Sequence, residues 1–85
     1  MYAVELKRSC ERELSRLPDH VKRRFALSIA ELEKGPLVGR PHFDVAKLEG
    51  EGNTWRLRLG QYRALFEVDG TVITVTTIAH RSKVY

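Results

Sequence analysis

The sequence predicts an α+β domain, in which a helical hairpin lies on one face of a mainly antiparallel sheet, in the order β-α-α-β-β-β-β. Three observations predict it. Apolar residues recur at helical spacing between Cys10 and Leu32. Apolar and polar residues alternate from Thr54 to Ala79. The turn dipeptides Gly60-Gln61 and Asp69-Gly70 cut that alternating stretch into strands. At 85 residues the chain suits one domain over its whole length, 1–85.

Residues 2–6, Y-A-V-E-L, alternate weakly and predict a short first strand. Ser9 is a candidate N-cap for a first helix. Cys10, Leu14 and Leu17 follow at i, i+4 and i+7, so they share one helical face. Pro18 breaks that helix and opens a second, with Asp19 complementing the helix dipole. Val21, Phe25, Ile29 and Leu32 form its apolar stripe, and Gly35-Pro36 stops it. Residues 36–46 have no period and hold two prolines, which predicts a loop. A short strand is expected at Ala46–Glu49. Thr54–Leu59, Tyr62–Val68 and Thr71–Ala79 complete the sheet.

Tight turns fix the register, and side chains then alternate by face. Arg58 is expected opposite Arg63, and Arg56 opposite Leu65. In the next hairpin Phe66 is expected opposite Ile73, and Ala64 opposite Val75. One face collects Trp55, Leu57, Leu59, Tyr62, Ala64, Phe66, Val68, Ile73 and Val75, the side the helices cover. The other collects Arg56, Arg58, Arg63, Leu65, Thr74 and Thr76, joined by His80 if the last strand stays in phase.

Three arginines within eight residues of a sheet are the feature that needs a reason. Like charges directly across a strand pair destabilise it by roughly 0.2–1 kcal/mol. A bound anion offsets that repulsion, and the planar guanidinium fork matches phosphate. The bland alternative is a solvated face whose long side chains lie over Leu65. With no Gly-rich strand-loop-helix motif, a nucleic-acid backbone fits this face better than a nucleotide.

The overall charge agrees in sign. The net charge is +4. Residues 1–53 carry ten Lys/Arg against nine Asp/Glu, and residues 54–85 carry five against two, so the excess lies with the arginine strands. The single cysteine, Cys10, has no partner for a disulfide and predicts a reducing compartment and a place in the core. No long apolar run or signal-like segment is present, so a cytoplasmic protein without a membrane partner is expected.

Candidates for proton transfer are few. His20, His42 and His80 are scattered, and no metal-ligand spacing occurs, so no cofactor is expected. His20 reads as a surface residue. The C-terminal run Ala79-His80-Arg81-Ser82-Lys83-Val84-Tyr85 offers an imidazole, a phenol and two cations. RNA phosphodiester cleavage needs a base, an acid and cations for the phosphorane, and arginine suits only the last of these. A frayed basic tail is the alternative for this run.

L-P-D-H-V at 17–21, K-L-E-G at 47–50, W-R-L-R-L-G-Q-Y-R at 55–63 and H-R-S-K-V-Y at 80–85 resemble the RelE/ParE superfamily of type II toxin-antitoxin toxins. The resemblance runs nearly end to end. It implies a RelE-like β-α-α-β4 fold with sheet order 1-5-4-3-2. It also implies a cognate antitoxin, a small acidic protein that wraps the toxin. The RelE branch implies a ribosome-dependent mRNA endonuclease that inhibits translation, works without a metal and leaves a 2′,3′-cyclic phosphate. Carried over by position, Arg56, Arg58, Arg63 and Arg81 bind phosphate, Tyr85 stacks on or activates the nucleotide, and His80 is the acid or base. Lys47 and Lys83 extend the RNA-binding set. Some members have lysines where Arg56 and Arg58 stand, and some carry a C-terminal helix that this chain is expected to lack. Two other readings stay open: a ParE-like DNA gyrase poison on the same fold, and a basic module that binds RNA or an acidic partner without cutting.

Overall fold

The computed structural model describes residues 1–35, 45–47 and 53–84, the last segment with side chains through Ser82. Its elements are β1 (Ala3–Leu6), α1 (Arg8–Ser15), α2 (Asp19–Lys34), β2 (Val45–Lys47), β3 (Thr54–Leu59), β4 (Tyr62–Asp69), β5 (Val72–His80) and the single turn α3 (Arg81–Val84). The sheet order is β1-β5-β4-β3-β2, with β1 parallel to β5 and the other pairs antiparallel. This is the α+β, RelE-like arrangement that the sequence predicts.

The helices form where the apolar stripe demands them. Cys10, Leu17, Val21, Phe25 and Leu32 are buried against Leu57, Leu59, Ala64, Phe66, Ile73, Val75 and Ile78 of the sheet. Ser9 is not the N-cap of α1: that place falls to Lys7, whose carbonyl accepts the Cys10 and Glu11 N–H groups at 2.9 and 3.1 Å. The Pro18 carbonyl similarly takes the N–H groups of Val21 and Lys22, both at 3.0 Å. Gly35 ends α2 at φ 145°, a conformation that favours glycine. β2 starts one residue earlier than expected, and its expected residues Leu48 and Glu49, like most of the 36–46 loop, lie outside the described residues. A single helical turn, α3, follows β5.

The β3–β4 hairpin has the expected register, with Leu59 opposite Tyr62, Arg58 opposite Arg63 and Arg56 opposite Leu65. Gly60 opens its turn at φ 65°. The β4–β5 hairpin differs. Asp69 pairs with Val72, so the tip is Gly70-Thr71, and Phe66 faces Val75 rather than Ile73. A bulge follows: Leu65 pairs with Thr77, which leaves Thr76 as the extra residue. The Thr76 hydroxyl donates to the Leu65 carbonyl across the bulge at 3.4 Å.

The bulge reverses the phase of the rest of β5. Ile78 comes opposite Ala64 and is buried on the helix side. Ala64 therefore faces Ile78, not Val75, and Arg63 faces Ala79.

Candidate functional site

The sheet face away from the helices carries Arg56, Arg58 and Arg63, as the alternation requires, beside Leu65, Thr77 and Ala79. Arg58 is exposed, Arg56 half-buried and Arg63 buried at 5 %. Arg63 does not extend from the sheet like its neighbour. Its Nη1 donates to the carbonyls of Gly60 and Tyr62 at 2.7 and 2.9 Å. The guanidinium thereby holds the turn of its own hairpin, and its charge stays at the end of the arginine row.

His80 is not on this face. It pairs with Tyr62 on the helix side, with the two rings edge to face at 5.4 Å between centroids. The expectation that it joins the arginines fails because the Thr76 bulge inserts one residue before it. The Nδ1 atom accepts the backbone N–H of Ser82 at 3.3 Å and lies 3.0 Å from the Ser82 hydroxyl. The neutral ring therefore carries its hydrogen on Nε2.

Lys47 is also off the arginine face. It pairs with Trp55, and its Nζ lies 5.9 Å from the indole centroid, within cation–π range. Arg81 opens α3 and is exposed, with its N–H donating to the Gln61 carbonyl at 2.8 Å. That bond ties the start of the C-terminal segment to the β3–β4 turn. Tyr85 and the side chain of Lys83 lie outside the described residues, as does His42.

A cleft of about 350 Å³ opens on the helix side of the same turn. Pro18, His20, Val21 and Arg24 of the helical hairpin face Leu59, Gly60, Gln61, Tyr62 and His80 across it. His20 is exposed, as expected; sequence reasoning missed the cleft because His80 was expected on the opposite face and the other lining residues come from distant segments. A signal was present: the apolar spacing Ile73, Val75, Ile78 changes from two to three at the paired threonines.

The only resolved acid–base perturbation among the described residues lies away from both regions. Burial pushes the Cys10 thiol up from its ordinary value, and its Sγ donates to the Val75 carbonyl at 3.4 Å. Among the described residues no helix is long and apolar enough to cross a membrane.

A helical hairpin behind a sheet whose open face bears arginines defines a small, basic α+β protein. Comparison with known proteins gives this class a family. The model of the ParE toxin of type II toxin-antitoxin systems, parDE, matches residues 4–85. Toxin RelE3 of Methanocaldococcus jannaschii is 31% identical over 74 residues, covering 87% of this chain and 84% of that one. Among solved structures, the RelE-RelB complex of Pyrococcus horikoshii OT3 matches with TM-score 0.76 and 34% identity, over 96% of this chain and 97% of the other. The RelB-RelE complex of Methanococcus jannaschii matches with TM-score 0.81 and 27% identity, over 95% and 94%. The isolated Escherichia coli RelE toxin, at 21% identity and TM-score 0.79, shares the fold over 100% of this chain and 92% of its own. The chain belongs to the RelE/ParE superfamily of type II toxin-antitoxin toxins.

Proposed function

We propose that this toxin is a ribosome-dependent mRNA endonuclease. The observation that carries this reading is the row Arg56, Arg58 and Arg63 on one sheet face, with Arg58 and Arg63 directly opposed. Such a row supports a bound phosphodiester and the extra negative charge that grows on its phosphorane. The 2′-oxygen attacks phosphorus, the bond from phosphorus to the 5′-oxygen breaks, and the products are a 2′,3′-cyclic phosphate and a 5′-hydroxyl. Arg56 and Arg58 hold the equatorial oxygens. Arg63 positions the hairpin turn and adds its charge to the row. Arg81 closes the site from the C-terminal side.

Arginine is too weak an acid to move protons near neutrality. The 2′-hydroxyl proton passes to a phosphate oxygen of the substrate, Tyr85 protonates the leaving 5′-oxygen, and the proton on the phosphate returns to the Tyr85 phenolate. His80, across the sheet from the arginines, is left out of this step.

The relatives named RelE favour this reading over a ParE-like gyrase poison, although the matching family model describes ParE. Cell-free translation with the purified toxin tests it. Cuts in ribosome-bound message are expected, with loss in Arg58→Ala and a drop of about 10²- to 10⁴-fold in Tyr85→Phe. Intact message together with inhibited gyrase supercoiling would move the assignment to the poison.

The partner is a small acidic antitoxin that wraps the toxin. Two of the structures named above are antitoxin–toxin complexes, and the net charge of +4 favours an acidic partner. Co-expression of the neighbouring small reading frame is expected to restore growth.

A further inference from the structure

The cleft behind the β3–β4 turn has no part in the cleavage chemistry above, yet its chemistry is specific. His20 and Arg24 reach it from α2, Gln61 from the β3–β4 turn and His80 from β5. None of the residues lining it is acidic. The Arg24 Nη1 lies 3.7 Å from where a Cβ on Gly60 would stand, so the guanidinium is seated at the turn. His80 has its Nδ1 engaged by Ser82, which leaves Nε2–H as its donor. Arg58 and Arg63 flank the other face of that turn. The hairpin tip thus carries cations on both sides, within the span of a few nucleotides.

We infer that this cleft is a second phosphate subsite, in which His20, Arg24 and His80 take a phosphate of the RNA strand that crosses the hairpin tip from the arginine face. Arg24 supplies a charge-assisted fork, and Nε2–H of His80 and the Gln61 amide supply further donors. Gly60 permits the crossing, because it puts no side chain between the two sides. Tyr62 supports the site by packing edge-on against His80. The phosphate could be that of a nucleic-acid strand or free inorganic phosphate, and the strand is the source we assign. That assignment of source rests on the endonuclease reading; the binding itself does not.

Histidine ring signals of the whole chain in NMR read the site directly. The probes are inorganic phosphate and a short 2′-O-methyl oligoribonucleotide, which has no 2′-hydroxyl to attack. Both are expected to shift the His20 and His80 rings. Arg24→Ala should abolish the phosphate-induced shift and weaken the oligonucleotide about fivefold. It should also lower the salt slope of oligonucleotide binding by about 0.7. Arg24→Lys should keep most of the binding, which guards against a fold defect. Arg58→Ala should leave the phosphate-induced shift intact, separating this cleft from the sheet face. Shifts with phosphate alone would overturn the strand assignment, and no shift with either probe would overturn the subsite. Loss of message cutting with these shifts retained would instead count against the endonuclease.

Discussion

His80 stands opposite Tyr62 on the helix side of the sheet, with the rings 5.4 Å apart and nearly perpendicular at 82°. One residue decides that side. Thr76, the extra residue of the β5 bulge, moves everything after it by one position, and the histidine leaves the arginine face. The sheet therefore separates two groups of polar side chains: the guanidinium row on the open face, and the His80 imidazole on the other, where it meets His20 and Arg24 of α2.

Deleting Thr76 should remove the bulge and leave this division in place. Thr77 would follow Val75 directly and keep Leu65 as its partner, with Ile78 still opposite Ala64 and His80 still opposite Tyr62. Ile78, 3 % exposed, should stay in the core, so the loss read from the urea midpoint should fall below that of a core truncation, about 2–5 kcal/mol. The cross-peak between the His80 and Tyr62 rings should persist. A vanished cross-peak with a loss as large as a core truncation would contradict this role of the bulge.

Arg58 and Arg63 are neighbours with different duties. Arg58 is exposed, so Arg58→Ala should change stability by no more than about 0.5 kcal/mol while removing cleavage. Arg63→Ala leaves the Gly60 and Tyr62 carbonyls without their guanidinium donor and should cost about 1.5–3 kcal/mol as well as activity. Denaturant midpoints of the two variants compare these effects. Equal stability would mean that the turn does not need Arg63.

Lys47 sits with Trp55 and apart from the arginines. Lys47→Ala should shift the Trp55 fluorescence and weaken RNA binding less than Arg58→Ala does. A larger loss of RNA affinity from Lys47 would require the RNA to reach the helix side of this edge.

Cys10 should make stability depend on pH in alkali. Burial raises its pKa in the folded chain above the ordinary value of 9.0. Below 9.0 the thiol is protonated in both states, and its contribution is fully present. Above it the unfolded chain ionises first, so stability falls with rising pH until the folded thiol also ionises. Unfolding midpoints between pH 8 and pH 10, on either side of the ordinary value of 9.0, should decline in the native chain more than in Cys10→Ala.

Much of the architecture was legible because local signals agreed. The stripe Val21, Phe25, Leu32 and the turn at Gly60 are set by near neighbours in the chain, and both have the expected geometry. The β5 bulge was read wrongly because strict alternation is only the default for a strand. Two adjacent threonines tolerate either face, and the burial of Ile78 decided the phase. Arg63 was legible as a member of the row. Its return to the Gly60 and Tyr62 carbonyls was not, since side-chain direction depends on the turn's three-dimensional form. The cleft of His20, Arg24 and His80 joins segments distant in sequence, so no local pattern announces it.

The central claim is that the arginine face cuts message on the ribosome. Sequencing the ends of cellular mRNA after brief induction tests it most directly. The account predicts new cuts confined to translated frames, with a 2′,3′-cyclic phosphate upstream and a 5′-hydroxyl downstream, all absent in Arg58→Ala. Growth arrest by the native chain with message ends unchanged would contradict it.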